Sequence, residues 1–182
     1  MKKVIIIFMI IFDIIALNAQ TKKQKQQEER EIDSIFITNV AEYVHYIIYP
    51  VNDYAYFSTR YVNIDSILFY KSGNCVSYHS AFTYFVLSEI KNNPNIKIYA
   101  VDGAVKPEYN YNGGLAGHRI TLVEFYGTKY YFDVGWGVYW SKTLPKHMKE
   151  DIEIIRIKYK NLKMYKETDE DLLKYFRKCS EL

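Results

Sequence analysis

Residues 118–134, HRITLVEFYGTKYYFDV, hold two runs of alternating apolar and polar side chains on either side of Tyr126-Gly127. Alternation with a period of two marks strands with one buried face, and a short break containing glycine marks a hairpin. With Tyr126-Gly127 as the turn, Glu124 lies opposite Lys129, a favourable cross-strand pair, and Asp133 lies opposite Ile120. His118 then shares a face with Asp133 as its diagonal neighbour, at roughly 7–8 Å between backbones, which a carboxylate and an imidazole can bridge. A turn one residue later would set Asp133 opposite Leu122 and separate the two.

The segments around this hairpin predict an α+β fold: helices in the N-terminal half, one of them bearing a cysteine, packed on an antiparallel sheet. Upstream, 75–91 is apolar on more than one side (Val76, Phe82, Phe85, Val86, Leu87, Ile90) and predicts a largely buried helix stopped by KNNPN at 91–95. IKIYAV at 96–101 alternates like a strand, and 102–117 reads as a long loop. That loop holds four of the eight glycines and reads as a candidate substrate rim or equally as an ordinary long connection. Farther upstream, Ile32, Ile35, Phe36, Val40, Tyr43, Val44, Ile47 and Ile48 recur at helical spacing, and the helix should end before Pro50. A short helix is expected at 64–70, a further strand at 151–159, and a terminal helix at 168–179 capped by Thr168.

The chain start is of another kind. Lys2 and Lys3 precede the apolar run VIIIFMIIF, and ALNA supplies small residues before Gln20, the layout of a secretory signal over 1–19. The apolar stretch is shorter than the roughly 20 residues a membrane span needs. Asp13 would cost roughly 2.5–3.5 kcal/mol at mid-membrane. Export to the periplasm or outside the cell is therefore expected, with no stable membrane anchor. The polar run QTKKQKQQEERE at 20–31 reads as a flexible linker, leaving 32–182 as one domain. Losing 1–19 removes two lysines and one aspartate, which takes the formal net charge from +3 to +2. Such a balance, with scattered basic residues, points away from nucleic acid. The 19 tyrosines among β-branched neighbours lean toward sheet content.

Three residues carry chemistry. Sulfur attacks a carbonyl as thiolate, so a nucleophilic cysteine needs a lowered pKa, which a helix N-terminus and a nearby imidazole both supply. Cys75 sits at a predicted helix start, His118 opens the strand after the glycine loop, and Asp133 lies near the end of the next strand. Asp133 would orient His118, and His118 would take the proton of Cys75 and later protonate the leaving group. The alternatives are a solvated histidine, an edge aspartate, and a Cys75–Cys179 disulfide in an oxidising compartment.

GNCVSYHSAFTYFVLSEI (73–90) and GHRITLVEFYGTKYYFDVGWG (117–137) together resemble the core of the transglutaminase-like superfamily, the papain-like Cys-His-Asp thiol enzymes. In that family a Gly-x-Cys begins a helix, Gly-His opens a strand, and an Asp follows fifteen residues later with an aromatic beyond it. Here Asp133 follows His118 by 15 positions and Trp136 comes three later, and the likeness covers roughly 68–140. The resemblance implies a thioester on Cys75 formed from an amide or peptide carbonyl, with a protein or peptide substrate. Water as acceptor makes a peptidase or amidase; an amine makes a transglutaminase. Arylamine N-acetyltransferases share the order and the His–Asp spacing, and their Asp-Val-Gly-Phe-Gly is similar to DVGWG at 133–137. They carry Arg-Gly-Gly before the cysteine, where this chain has Lys71-Ser72-Gly73, and so rank second. A non-catalytic envelope module with the same fold is the rival from another class.

The oxyanion partner is open. The glutamines stand at 20, 24, 26 and 27 and both tryptophans follow Cys75, so neither a Gln just upstream of the cysteine nor an upstream Trp is present. The Cys75 backbone N–H with Tyr61, Tyr70 or Asn74 is the candidate set, with Trp136 near the substrate. His79, one helical turn after Cys75, is expected as a partly buried, hydrogen-bonded histidine, and neither His45 nor His147 shows a partner in the sequence. No Cys/His pair has metal-ligand spacing, so no metal and no cofactor are expected. Asn112-Gly113-Gly114 lacks the lysine and helix of a phosphate loop.

Overall fold

The computed structural model describes residues 2–50, 64–90, 92–110 and 116–157. The chain forms two compact units, Met1–Ile35 and Phe36–Leu182. Helix α1 (Lys2–Ile47) begins in the first and supplies its last turns to the second. Residues 20–31, expected as a linker, are helical within α1. Glu, Gln, Lys and Arg are strong helix formers, so a run without apolar residues still carries a helix when its neighbours do. Among the described residues, no helix is long and apolar enough to cross a membrane.

In the second unit Phe36, Ile37, Val40, Ala41, Val44 and Ile48 are buried, an i, i+3/i+4 stripe. The helix ends at Ile47, ahead of Pro50, and β1 (Tyr49–Pro50) pairs in parallel with β2 (Ser72–Gly73). Between them lies α2 (Ile64–Tyr70), which closes on Lys71 at φ 51°, a left-handed C-terminal cap whose N–H donates to Ile67 O at 2.9 Å. Helix α3 (Cys75–Ile90) follows at once and is buried on several sides, with Phe82, Phe85 and Val86 fully enclosed.

The rest is an antiparallel sheet of five strands: β3 (Ile96–Val105), β4 (Ala116–Phe125), β5 (Thr128–Asp133), β6 (Val138–Ser141) and β7 (Glu153–Ile157), in the order β6-β5-β4-β3-β7. The molecule is thus α+β as expected. One face of the sheet packs Ile98, Val123, Phe125 and Phe132 against α3 and the end of α1; the other gathers Val101, Ile120, Leu122 and Met148.

The hairpin has the predicted register, from Phe125↔Thr128 to Thr121↔Phe132. Tyr126 (φ 49°) and Gly127 (φ 81°) are both left-handed, the two-residue turn whose twist matches the flanking strands. Glu124 does face Lys129, but its carboxylate hydrogen-bonds Lys97 across the other neighbour, with Tyr99 Oη at 3.1 Å.

The glycine loop is shorter than expected. Residues 102–105 continue β3 and 116–117 begin β4, and between them the described part includes a short 3-10 turn, Pro107–Tyr109. Asp102 and Gly103 pair with Arg119 and His118, so the apparent loop residues are ladder partners of the site. The segment before β7 crosses Gly103 closely: a Cβ there would lie 3.0 Å from both Ile152 Cγ2 and Met148 Cε. The strand expected at 151–159 is present as β7 on the outer edge beside β3. β6 carries no clear alternation and was not expected. The terminal helix at 168–179, with Cys179, lies outside the described residues.

Candidate active site

Asn74 caps α3. Its Oδ1 accepts from Val76 N at 3.0 Å and Ser77 N at 3.4 Å, while its own N–H donates to Ser77 Oγ at 3.3 Å, a reciprocal cap. Cys75 is therefore the first helical residue, among backbone N–H groups that a helix start leaves without intrahelical partners. Gly73 is dictated by this turn, since a Cβ would fall 2.2 Å from Ser77 Cβ. Gly73→Ala is expected to displace the first turn of α3 and cost about 1–3 kcal/mol, read as a lower melting temperature.

The β4–β5 ladder ends at Thr121↔Phe132, and beyond it β4 runs on to Ala116 alongside β3. At that end of the sheet Cys75 meets β4: the His118 side chain and the backbone N–H groups of Arg119 and Val76 lie within hydrogen-bonding reach of its sulfur. The cysteine thus reaches its partners past the end of the shared ladder. His118 Nε2 lies 2.6 Å from Asp133 Oδ2, which leaves Nδ1 for the sulfur. Cys75, His118 and Asp133 lie together at this end of the sheet, and Cys75 is a free thiol.

The electrostatics are mutual. Burial alone would push the Cys75 thiol up, but the hydrogen bond and charge of His118 and the two backbone N–H groups outweigh it and hold the pKa below that of an ordinary thiol. Burial likewise opposes the imidazolium of His118, yet hydrogen bonds and charge from Asp133 and Cys75 push it up to about 9. Asp133 is nearly enclosed, which disfavours its charge, but hydrogen bonds from two histidines keep it below the ordinary carboxylate value. The shifts of the two groups run in the direction of a thiolate–imidazolium pair backed by a carboxylate.

The second histidine is His147, which has a partner after all: its Nε2 lies 2.7 Å from the same Asp133 Oδ2. His147 reaches the site because 147–149 lie along the end of β3, with Lys106 N donating to His147 O and Lys149 N to Ala104 O, both at 2.8 Å. Nothing in the local sequence signals that contact. Trp136 stacks on His147 at 4.1 Å between ring centroids, and Tyr109 approaches both rings edge-on. Trp136 (47% exposed) and Tyr109 (45%) thus present an aromatic rim beside the two histidines.

His118, Asp133 and His147 each place one ligand atom within 4.8 Å of the others, a set that could close on a divalent cation and that spacing alone did not show. Both Nε2 atoms stand at hydrogen-bond distance from one carboxylate oxygen, the arrangement of two N–H donors on a shared acceptor.

Of the other candidates, Asn74 has its side-chain oxygen committed to the helix cap. Tyr61 and the side chain of Tyr70 lie outside what the structure describes. His79 is buried and hydrogen-bonds Thr121 Oγ1 at 2.7 Å; burial, then the charge of Arg119, lowers its pKa to about 3, so it stays neutral. His45 also has a partner, donating from Nδ1 to Val134 O at 2.7 Å and so bracing the turn that follows Asp133. Arg119 forms a two-pronged pair with Asp102 at 2.5 Å for both contacts, anchoring the strand position whose N–H serves Cys75.

No protein-family model matches the chain. No curated protein matches it either.

Proposed function

We propose that the protein is an exported thiol enzyme of transglutaminase-like type that forms a thioester on Cys75 from an amide or peptide carbonyl. The observation that carries this is the Cys75–His118–Asp133 chain, set at a helix N-terminus with a thiol held below its ordinary pKa. A disulfide cysteine or a packing cysteine needs neither an imidazolium nor a carboxylate behind it.

In this mechanism the Cys75 thiolate attacks the carbonyl carbon, forming the S–C bond and moving an electron pair onto oxygen. The backbone N–H of Cys75 at the helix start is the natural donor to that oxyanion. Collapse of the adduct breaks the C–N bond, and His118 delivers its proton to the leaving amine. Water or an amine then attacks the thioester, His118 accepts its proton, and the C–S bond breaks to restore the thiolate. Asp133 keeps the imidazole oriented throughout. Trp136 and Tyr109 form the rim against which the substrate chain would lie, in keeping with a peptide. The chain has Lys71-Ser72-Gly73 where arylamine N-acetyltransferases have Arg-Gly-Gly, which favours the amide-directed chemistry over the acetyl-transfer alternative.

Alkylation by iodoacetamide, followed at Cys75 by peptide mass and so resolved from Cys179, tests the proposal. The expected profile has its midpoint below that of an ordinary thiol, near pH 8.5. A Cys75 midpoint at or above that value would sink the thiol-enzyme assignment.

A further inference from the structure

Two histidines share one carboxylate at the site, but the triad chemistry uses only one of them. His79 is neutral and tied to Thr121, so it has no part in proton transfer. His147 differs, because it binds the same carboxylate oxygen as His118. We infer that His147 is a positioning residue: its Nε2–H holds Asp133 Oδ2 in the orientation that receives His118, making a four-residue relay Cys75–His118–Asp133–His147. This rests on the thiol-enzyme proposal above.

The geometry supports the assignment in three ways. His147 is buried, as are His118 and Asp133, so its hydrogen bond does not compete with water. A carboxylate accepting several N–H bonds is kept ionised, and a fixed carboxylate fixes the imidazole it serves. The ring is itself clamped: Trp136 covers one face with planes only 18° apart, and 147–149 are bonded to the end of β3. The groups that face this cluster are Cys75 from α3, His118 from β4, Asp133 from β5, Trp136 from the turn after it and Tyr109 from the earlier 3-10 turn. Asp102 is held by Arg119, which leaves Asp133 as the carboxylate shared by both histidines.

Packing against Trp136 alone could also account for a ring at this position, so the test separates ring from donor. His147→Phe keeps an aromatic ring for Trp136 to stack on but donates nothing; His147→Gln keeps an N–H donor and loses the ring. The readout is the pH profile of Cys75 alkylation on the full chain, with circular dichroism to verify folding. His147→Phe is expected to move the acid limb up by about one pH unit, a roughly tenfold loss of thiolate at a fixed pH on that limb. His147→Gln should stay within a few tenths of a unit of the wild type. A wild-type profile in His147→Phe, alongside a displaced one in His118→Asn, would overturn the role of His147 and leave the thiol-enzyme proposal standing. A wild-type profile in His147→Phe with a displaced one in His147→Gln would show that the ring matters and not the donor, and would likewise overturn the inference. An ordinary thiol profile in the unaltered chain would overturn both proposals. Should His147→Phe fail to fold, 15N spectra of the histidine-labelled wild type decide the matter. His147 is expected to carry its proton on Nε2 at pH 7, and a proton on Nδ1 alone would overturn the inference.

Discussion

Replacing His118 with asparagine is expected to move the midpoint of Cys75 alkylation up to, or above, the ordinary thiol range near 8.5. Burial pushes the thiol up, and the hydrogen bond and charge of His118 are the largest effects that pull it down. Without the imidazolium, the N–H groups of Arg119 and Val76 remain against an unchanged desolvation penalty. At pH 6 the alkylation rate should fall by about tenfold and not more, because the less acidic thiol that remains is intrinsically the better nucleophile. Turnover should fall much further, by about 100- to 10,000-fold, since His118 also shuttles the proton in both half-reactions. The basic limb of the wild-type turnover profile should lie near pH 9, where His118 loses its proton. A variant that keeps the wild-type profile would show that Cys75 is acidified by the helix start alone.

The second large effect is expected from Asp133→Ala. This substitution leaves His118 and His147 buried and close, with ring centroids 5.5 Å apart and no counterion between them. Removing one partner of a buried charge pair costs about 3–5 kcal/mol, which urea unfolding at pH 6 would register. The pH dependence carries a sign that distinguishes this pair from a packing defect. His118 is raised from 6.5 to about 9, so its contribution is complete below pH 6.5 and is lost as pH rises through about 9. Asp133 is lowered from 3.8, so its contribution is present above that value and is lost as pH falls through its lower folded pKa. The gap between wild type and Asp133→Ala should therefore be widest between about pH 4 and 6.5 and narrow on both sides. A gap independent of pH would mean that the carboxylate acts only by filling space.

Much of the site was legible because its determinants are local. The Tyr126-Gly127 turn sets the register of its hairpin, and period-two alternation then places Asp133 and His118 on one face. Asn74 and Ser77 cap each other within one turn, so the start of α3 at Cys75 is set by local contacts. Other parts were illegible for an equally physical reason. Asp102 to Val105 looked like loop because glycine and aspartate are poor strand formers, yet Arg119 and His118 across the ladder hold them in β3. The polar run at 20–31 contains strong helix formers whose lack of an apolar stripe disguised them.

What the chain determines by itself are the elements whose hydrogen bonds and side-chain periods close within a few residues: α2, α3, the hairpin and the cap under Cys75. What only the tertiary structure decided is which distant groups share the carboxylate. His147 reaches Asp133 through backbone bonds between 104–106 and 147–149, and Cys75 reaches the Arg119 N–H past the end of the β4–β5 ladder. Both contacts depend on the three-dimensional course of segments with no periodic signature, so they exist only once the sheet has assembled.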